Sequence, residues 1–458
     1  MIYSFIIVLL SVIAQGKSQI CDGVAQYDRC STNSACGCFH TADADTTGVC
    51  GLLAMFCSNL IPCNGANNTC HQPGTICVHH RRCSDRPVCY PISMSDQRIC
   101  PPMVKTTSAS TTTVISTTSN NQQLEWKIAG EMSQERIRHT ATMLPNGKVL
   151  VTGGFNNLNT RRSTELYDPS SETWLPNPSL KYERSTHTAT LLTNGKVLIA
   201  GGRDDFSFPN ASELYDPSKS TWTVSGHMIR VRQYHTASLL KNGKVLVAGG
   251  YRSGNGLLTA ELYDPQTGNW ATTGNMSYAR AEHTASVLRN GQVLVTGGHN
   301  GSAYLKSVEL YDPDTEAWTL IDNMNYARKS HTATTLIDGK ILIVGGSNKS
   351  ETVHYNAELF DPEAGKWTST GDMNYGRLGH ASVLLKSGQV LVAGGYGYRP
   401  DKKVRLFNRT EIYDPETESW TITSDLNSVL GTHAAFLLTD GRVLTVGGKY
   451  SEILNMTE

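Results

Sequence analysis

A histidine recurs at positions 139, 187, 235, 283, 331, 380 and 433, at steps of 48 to 53 residues. Three residues before it stands an arginine: Arg136, Arg184, Arg232, Arg280, Arg328 and Arg377, with Leu430 in the last copy. Imidazoles ligate metals and move protons near neutral pH, and guanidiniums clamp carboxylates. A shared metal would need side chains from several copies to converge on bonds of about 2.0–2.1 Å, whereas packed sheets stand about 10 Å apart. No copy is distinguished from the others as a ligand, so the histidine is expected to serve the frame of every repeat. The arginines are expected to pair with the repeated Glu165, Glu213, Glu261, Glu309, Glu358 and Glu411, because a buried charge needs a partner. A ring of ligand-facing arginines at a loop mouth is the alternative.

These residues sit in a repeated phrase. Residues 187–202 read HTATLLTNGKVLIAGG and residues 235–250 read HTASLLKNGKVLVAGG. Small and β-branched residues make the first strand, and Asn-Gly is a hairpin turn. An apolar second strand ends in paired glycines, where backbones approach closely. Glu-Leu-Tyr marks a third strand, Asp-Pro turns the chain, and a tryptophan leads the fourth. All seven tryptophans fall in register: Trp126, Trp174, Trp222, Trp270, Trp318, Trp367 and Trp420. Four strands at this period predict the blades of a β-propeller, and seven histidines predict seven blades. Residues 451–454 read as the short third strand of the last blade, whose outer strand is missing. Residues 124–128 are expected to supply that outer strand and close the ring. The glycine pairs are not followed by Lys-Ser or Lys-Thr, so they make no phosphate loop, and no Ser/His/Asp set stands out from its copies.

Gly-Gly, a Tyr-Asp third strand and then Trp at this spacing resemble the kelch repeat, over residues 123–458. The resemblance implies an all-β, seven-bladed propeller and leaves function open, since kelch propellers serve as interaction platforms and as enzymes. Extracellular kelch enzymes of the galactose oxidase type hold copper with tyrosines and histidines, one tyrosine being cross-linked to a cysteine. This propeller region contains no cysteine, and the family's further ligand-bearing domain has no counterpart after the seventh copy. None of that family's catalytic residues is carried over, and no cofactor is expected.

The rest of the chain sets the context. Residues 1–19 carry an apolar run from Ile2 to Ala14, too short to span a bilayer and fitting a secretory signal. All twelve cysteines lie in the segment 20–104: Cys21, Cys30, Cys36, Cys38, Cys50, Cys57, Cys63, Cys70, Cys77, Cys83, Cys89 and Cys100. An even number in an exported chain predicts a disulfide-stapled module rather than a zinc site, because no CxxC is present. Residues 105–122, rich in Ser and Thr, read as an extended spacer. The 458 residues hold 40 Lys+Arg against 40 Asp+Glu, scattered along the chain, so a nucleic-acid partner is not expected.

In a propeller, alternate connections emerge on opposite faces. The Asn-Gly hairpins and Asp-Pro turns share one face and are near copies. The connections after Gly-Gly, with those leading to each histidine, share the other face and vary. Variable loops on a rigid frame carry binding specificity. Their aromatic and cationic anchors are Phe206, Tyr251, Arg252, His299, Tyr304, Tyr396, Tyr398 and Arg399. Glycosylation acceptors stand at Asn67, Asn210, Asn275, Asn300, Asn348, Asn408 and Asn455, five of them on this face. The expectation is a secreted, non-catalytic protein that binds an extracellular protein or glycan, with no membrane span. An enzyme with a site on the same face, or a structural matrix component, is the alternative.

Overall fold

The structure is a computed structural model that describes residues 125–447 except 157–158, 349–351 and 399–403. It also describes Cys70 and, as strands, residues 36–40, 48–52, 61–62, 75–78, 88–91 and 110–116. Every regular element among these residues is a strand. The chain divides into two compact units, residues 1–108 with 157–159, and residues 109–156 with 160–458. In the first unit Cys36–His40 pairs with Gly48–Leu52, and Ile61–Pro62, Val88–Pro91 and Thr75–Val78 form a three-stranded sheet. Cys70 is bonded to Cys89, while the side chains of the other ten cysteines lie outside the described residues.

In the second unit the repeat folds as its turn chemistry dictates. Blade 2 runs Thr188–Leu191, Val197–Ala200, Ala211–Asp216 and Thr221–His227, each strand antiparallel to the one before. Blades 1, 3, 4, 5 and 6 repeat this order, starting at Thr140–Met143, Thr236–Leu239, Thr284–Val287, Thr332–Thr335 and Ala381–Leu384. First strands of adjacent blades contact one another and so surround the axis.

Six blades are thus contiguous in sequence, against the seven expected from the histidine count. The strands of the last copy, Ala434–Leu437 and Val443–Val446, are completed by Ser110–Ser116 and then Glu125–Met132. The outer strand comes from the segment anticipated for it. The third strand corrects two expectations. Residues 110–116 are strand, not spacer, and they hold the place expected of residues 451–454, which lie outside the described residues. The reason is local: STTTVIS is almost wholly β-branched or hydroxylated, a composition that suits a pleated strand as well as it suits a linker.

The core lies between sheets. Each second strand is buried at all four positions because alternate residues face opposite neighbours. Leu198 and Ala200 of blade 2 pack with Val245, Val247 and Tyr263 of blade 3, while Val197 and Ile199 pack with Leu144 and Leu150 of blade 1. Each such side chain contributes about 1.5–3 kcal/mol on burial. At the outer edge Tyr215 stacks on Trp222 with centroids 4.9 Å apart, and Trp222 Nε1 donates to Pro178 O of the preceding blade at 2.7 Å.

Candidate functional site

The repeated arginine and glutamate meet in all six contiguous blades. The N–O distances are 2.7 Å for Arg136–Glu165, 2.9 Å for Arg184–Glu213, 2.7 Å for Arg232–Glu261, Arg280–Glu309 and Arg328–Glu358, and 2.5 Å for Arg377–Glu411. The guanidinium does more than pair. Arg232 Nη1 also donates to Gly249 O at 2.5 Å and to Thr259 O at 2.8 Å, while Glu261 accepts from the amides of Ile229 and Arg230 at 2.7 and 2.9 Å. The composite sheet drops both partners together: Leu430 stands for the arginine, and Thr113, paired with Thr445, occupies the register position of the glutamate.

The histidines also belong to the frame. Nε2 of His187, His235, His283, His331 and His380 lies 2.8 to 3.0 Å from the hydroxyl of Thr140, Thr188, Thr236, Thr284 and Thr332, each one blade back. His433 and His139 find no such hydroxyl, because Ala381 and Ala434 take its place. Burial, reinforced by the nearby arginine, pushes His139 and His235 down to about 3, and burial alone pushes His433 down to about 4. These rings are therefore neutral at ordinary pH. Among the described residues no group of three or more His, Cys, Asp or Glu has the spacing to hold a metal ion. The paired glycines are explained by the same contacts. Gly202 has φ +92°, and a Cβ there would sit 2.7 Å from Ser185 O and 2.9 Å from His187 Cβ.

Above this frame lies the variable chemistry. The residue before each histidine adopts a left-handed conformation: Arg138, Thr186, Tyr234, Glu282, Ser330, Gly379 and Thr432, with φ between 51° and 59°. Only one of them is glycine, although the conformation is uncommon for other residues. A belt of main-chain bonds holds them. The amides of Thr186, Tyr234, Glu282, Ser330, Gly379 and Thr432 each donate to the equivalent carbonyl one blade back, at 2.8 to 3.2 Å. The belt thus presents one side chain at the rim of the axis in every copy except that of Gly379.

At blades 3 to 5 the belt carries a charged cluster. Glu282 accepts from His299 Nε2 at 3.4 Å, from Lys329 Nζ at 3.4 Å and from the Ser330 hydroxyl. His299 Nδ1 accepts from the Gly301 amide at 3.2 Å, which leaves the proton on Nε2, facing Glu282. Burial would push the Glu282 carboxyl up, but the His299 bond, the Lys329 charge and the Ser330 bond outweigh it and hold the group at about 2. The Lys329 ammonium is moved down by burial and up, by more, by Glu282 and Tyr304. The His299 ring lies 5.4 Å from Tyr251 and 6.1 Å from Tyr304. Both imidazole nitrogens are engaged, so the arrangement fixes two tyrosine rings at the rim and offers no free base.

Tyr251, His299 and Tyr304 are therefore brought together, with Arg252 exposed beside Tyr251. Phe206 stands 76 % exposed on its own loop. Tyr396 lies half-buried over Gly379, where a Cβ would meet its ring, and packs on its own blade. Tyr398 pairs with Val404 by backbone register, its side chain lying outside the described residues, as does Arg399. Of the acceptor asparagines, Asn210 and Asn275 are exposed and Asn300, Asn348 and Asn408 half-buried; Asn67 and Asn455 lie outside the described residues. Glu282, Lys329, Tyr234 and Arg138 were missed. The signal for the belt was present, as a column directly before an unchanging histidine that changes chemical type between neighbouring copies. Two clefts, of about 390 and 260 Å³, lie on the opposite face between blades 4 and 5 and blades 3 and 4, lined by hairpins and Asp-Pro turns that differ little between blades. The rim is chemically richer than these clefts, and it is the better candidate.

Residues 234–448 match the family model described as the KLHDC2/KLHL20/DRC7 kelch-repeats domain. Residues 105–309 match that of the attractin/LZTR1 beta-propeller. The second match begins before Ser110, in keeping with that strand's place in the composite sheet. No curated protein matches the chain. Among solved structures, a copper-bound fungal alcohol oxidase of the AA5 family is 19 % identical at a TM-score of 0.55, the alignment covering 69 % of this chain and 74 % of that one. The structure of YjhT is 17 % identical at a TM-score of 0.49, over 60 % of this chain and 94 % of that one. With the repeat geometry, the two family models, over residues 234–448 and 105–309, mark this unit as a kelch-type β-propeller.

Proposed function

We propose that this protein is a secreted, non-catalytic binding protein whose kelch propeller captures an extracellular protein or glycan on the rim face. The observation that carries this is the division of labour within the repeat. Arginine, glutamate, histidine and paired glycines recur as frame, while the belt and the loops beside it change chemistry from blade to blade. In this reading the composite sheet is a seventh blade, closing the ring through both ends of the unit. The segment 20–104 is a disulfide-stapled module, and the acceptor asparagines carry glycans that border the rim. A fixed frame with rigid aromatic anchors suits recognition, because little side-chain freedom is lost on binding.

The test is a glycan and protein binding screen with the secreted full chain, repeated with Tyr251→Ala and Tyr304→Ala. A ligand captured by the native chain and lost by both variants, with unchanged melting temperature, supports the proposal. Capture insensitive to the rim counts against it. The second reading, an oxidase-like enzyme on the same face, is kept by the propeller shared with the fungal alcohol oxidase. Stoichiometric copper or zinc in the purified protein would favour it.

A further inference from the structure

The charges that look scattered in the sequence are gathered by the fold. On the rim-face loops of blades 1 to 3 (residues 132–139, 153–156, 160–163, 178–186, 201–210, 227–234 and 249–259) three arginines are buried, and each is neutralised by its glutamate. Apart from these, the same loops carry seven Lys or Arg and four Asp or Glu. Two of the four carboxylates are engaged in the loops themselves. Asp204 accepts from the Phe206 amide at 2.8 Å and the Ser207 hydroxyl at 2.7 Å. Asp205 accepts from the amide and hydroxyl of Thr160 at 2.9 and 2.6 Å.

The cations converge on the belt. The Arg138 guanidinium reaches across blade 2 to lie 5.6 Å from the ring centroid of Tyr234 in blade 3. Arg203 pairs by main chain with Ser185, next to Thr186, the belt residue between them. Tyr251 pairs in the same way with Gln233, the neighbour of Tyr234, and Arg252 follows it, exposed. Arg230 stands exposed on the strand connection leading to the same tyrosine. Guanidiniums recognise sulfate and carboxylate groups by paired hydrogen bonds, and tyrosine rings stack against sugar rings. A cationic surface with aromatic platforms fits a polysaccharide chain laid across it.

We infer that blades 1 to 3 bind an anionic polysaccharide, sulfated or uronate-rich, through Arg138, Arg203, Arg230 and Arg252 with Tyr234. This rests on the binding role proposed above and names its ligand class. The test uses the full chain, a size-defined heparin oligosaccharide and, as the competing class, poly-L-glutamate, each at low and raised salt. The expected result is saturable heparin binding that falls as salt rises and exceeds binding of poly-L-glutamate. Arg203→Gln and Arg252→Gln should each weaken it by about tenfold, the loss of one charge-assisted contact. Lys340→Gln, on the opposite face, should leave it unchanged. No heparin binding, equal loss with Lys340→Gln, or preference for poly-L-glutamate overturns the inference. If the arginine variants instead abolish capture of a neutral glycan or a protein in the screen, the broader binding role stands and only the anionic class falls.

Discussion

Arg232 Nη2 lies 2.7 Å from Glu261 Oε1 with both side chains at 1 % exposure or less, and this contact recurs in each contiguous blade. Removing one partner strands a buried charge. Arg232→Met should therefore cost about 3–5 kcal/mol in chemical denaturation. The double variant Arg232→Leu with Glu261→Thr, which copies the composite sheet, should cost less than the two single changes together. A strictly additive double variant would show that the pair is not coupled.

The histidines without hydroxyl partners offer a gain of stability. Ala381→Thr should give His433 Nε2 the partner that Thr140 gives His187, and Ala434→Thr should do the same for His139. Each should raise stability by about 0.5–1.5 kcal/mol. The reverse change, Thr188→Ala, leaves His235 Nε2 without its hydroxyl and should lower stability by about 1–3 kcal/mol. Urea titrations of the three variants would check both signs.

Acid should weaken the propeller before its carboxylates protonate. His139 and His235 are held down at about 3 and His433 at about 4, while unfolded histidines titrate near 6.5. The unfolded chain thus binds protons first, and stability should fall as pH drops from about 6.5, levelling off only near the folded values. Between roughly pH 6.5 and 4.5 the loss should come from imidazoles, and His433→Leu should reduce its slope. A melting temperature flat across that window would contradict the burial of the ring.

The composite sheet makes a demand on where the propeller begins. A chain starting at residue 105 retains Ser110–Ser116 and should melt cooperatively. One starting at residue 123 leaves Val443–Val446 and Glu125–Met132 each with an unpaired edge. Such edges recruit other chains. Size-exclusion chromatography should show the shorter protein aggregated and the longer one monodisperse.

Most of the frame was legible because each blade states it again. The pairing of Arg136 with Glu165 followed from burial and charge alone, and the need for paired glycines followed from close backbone approach. Residues 110–116 were misread because Ser and Thr serve a linker and a β-strand equally, and only the partner Val443–Thr445 decides between them. The rim was legible in part. Tyr251, His299 and Tyr304 announced themselves as aromatic loop residues. Glu282 did not, because its role depends on Lys329, 47 residues on in the next blade. Arg138 over Tyr234 spans two blades, a proximity that no local pattern records.

The belt has a consequence for how such a protein diversifies. Its bonds run between main-chain amides and carbonyls, so the six side chains it displays, Gly379 carrying none, take no part in the bonds of the belt itself. Arg138, Thr186, Tyr234, Glu282, Ser330, Gly379 and Thr432 form a seven-letter word written on a fixed line. Rewriting a letter other than Gly379, where a Cβ would meet the Tyr396 ring, leaves these main-chain bonds in place. A library at the other six positions, drawn from residues that tolerate the left-handed conformation, would vary the rim while keeping its main-chain bonds.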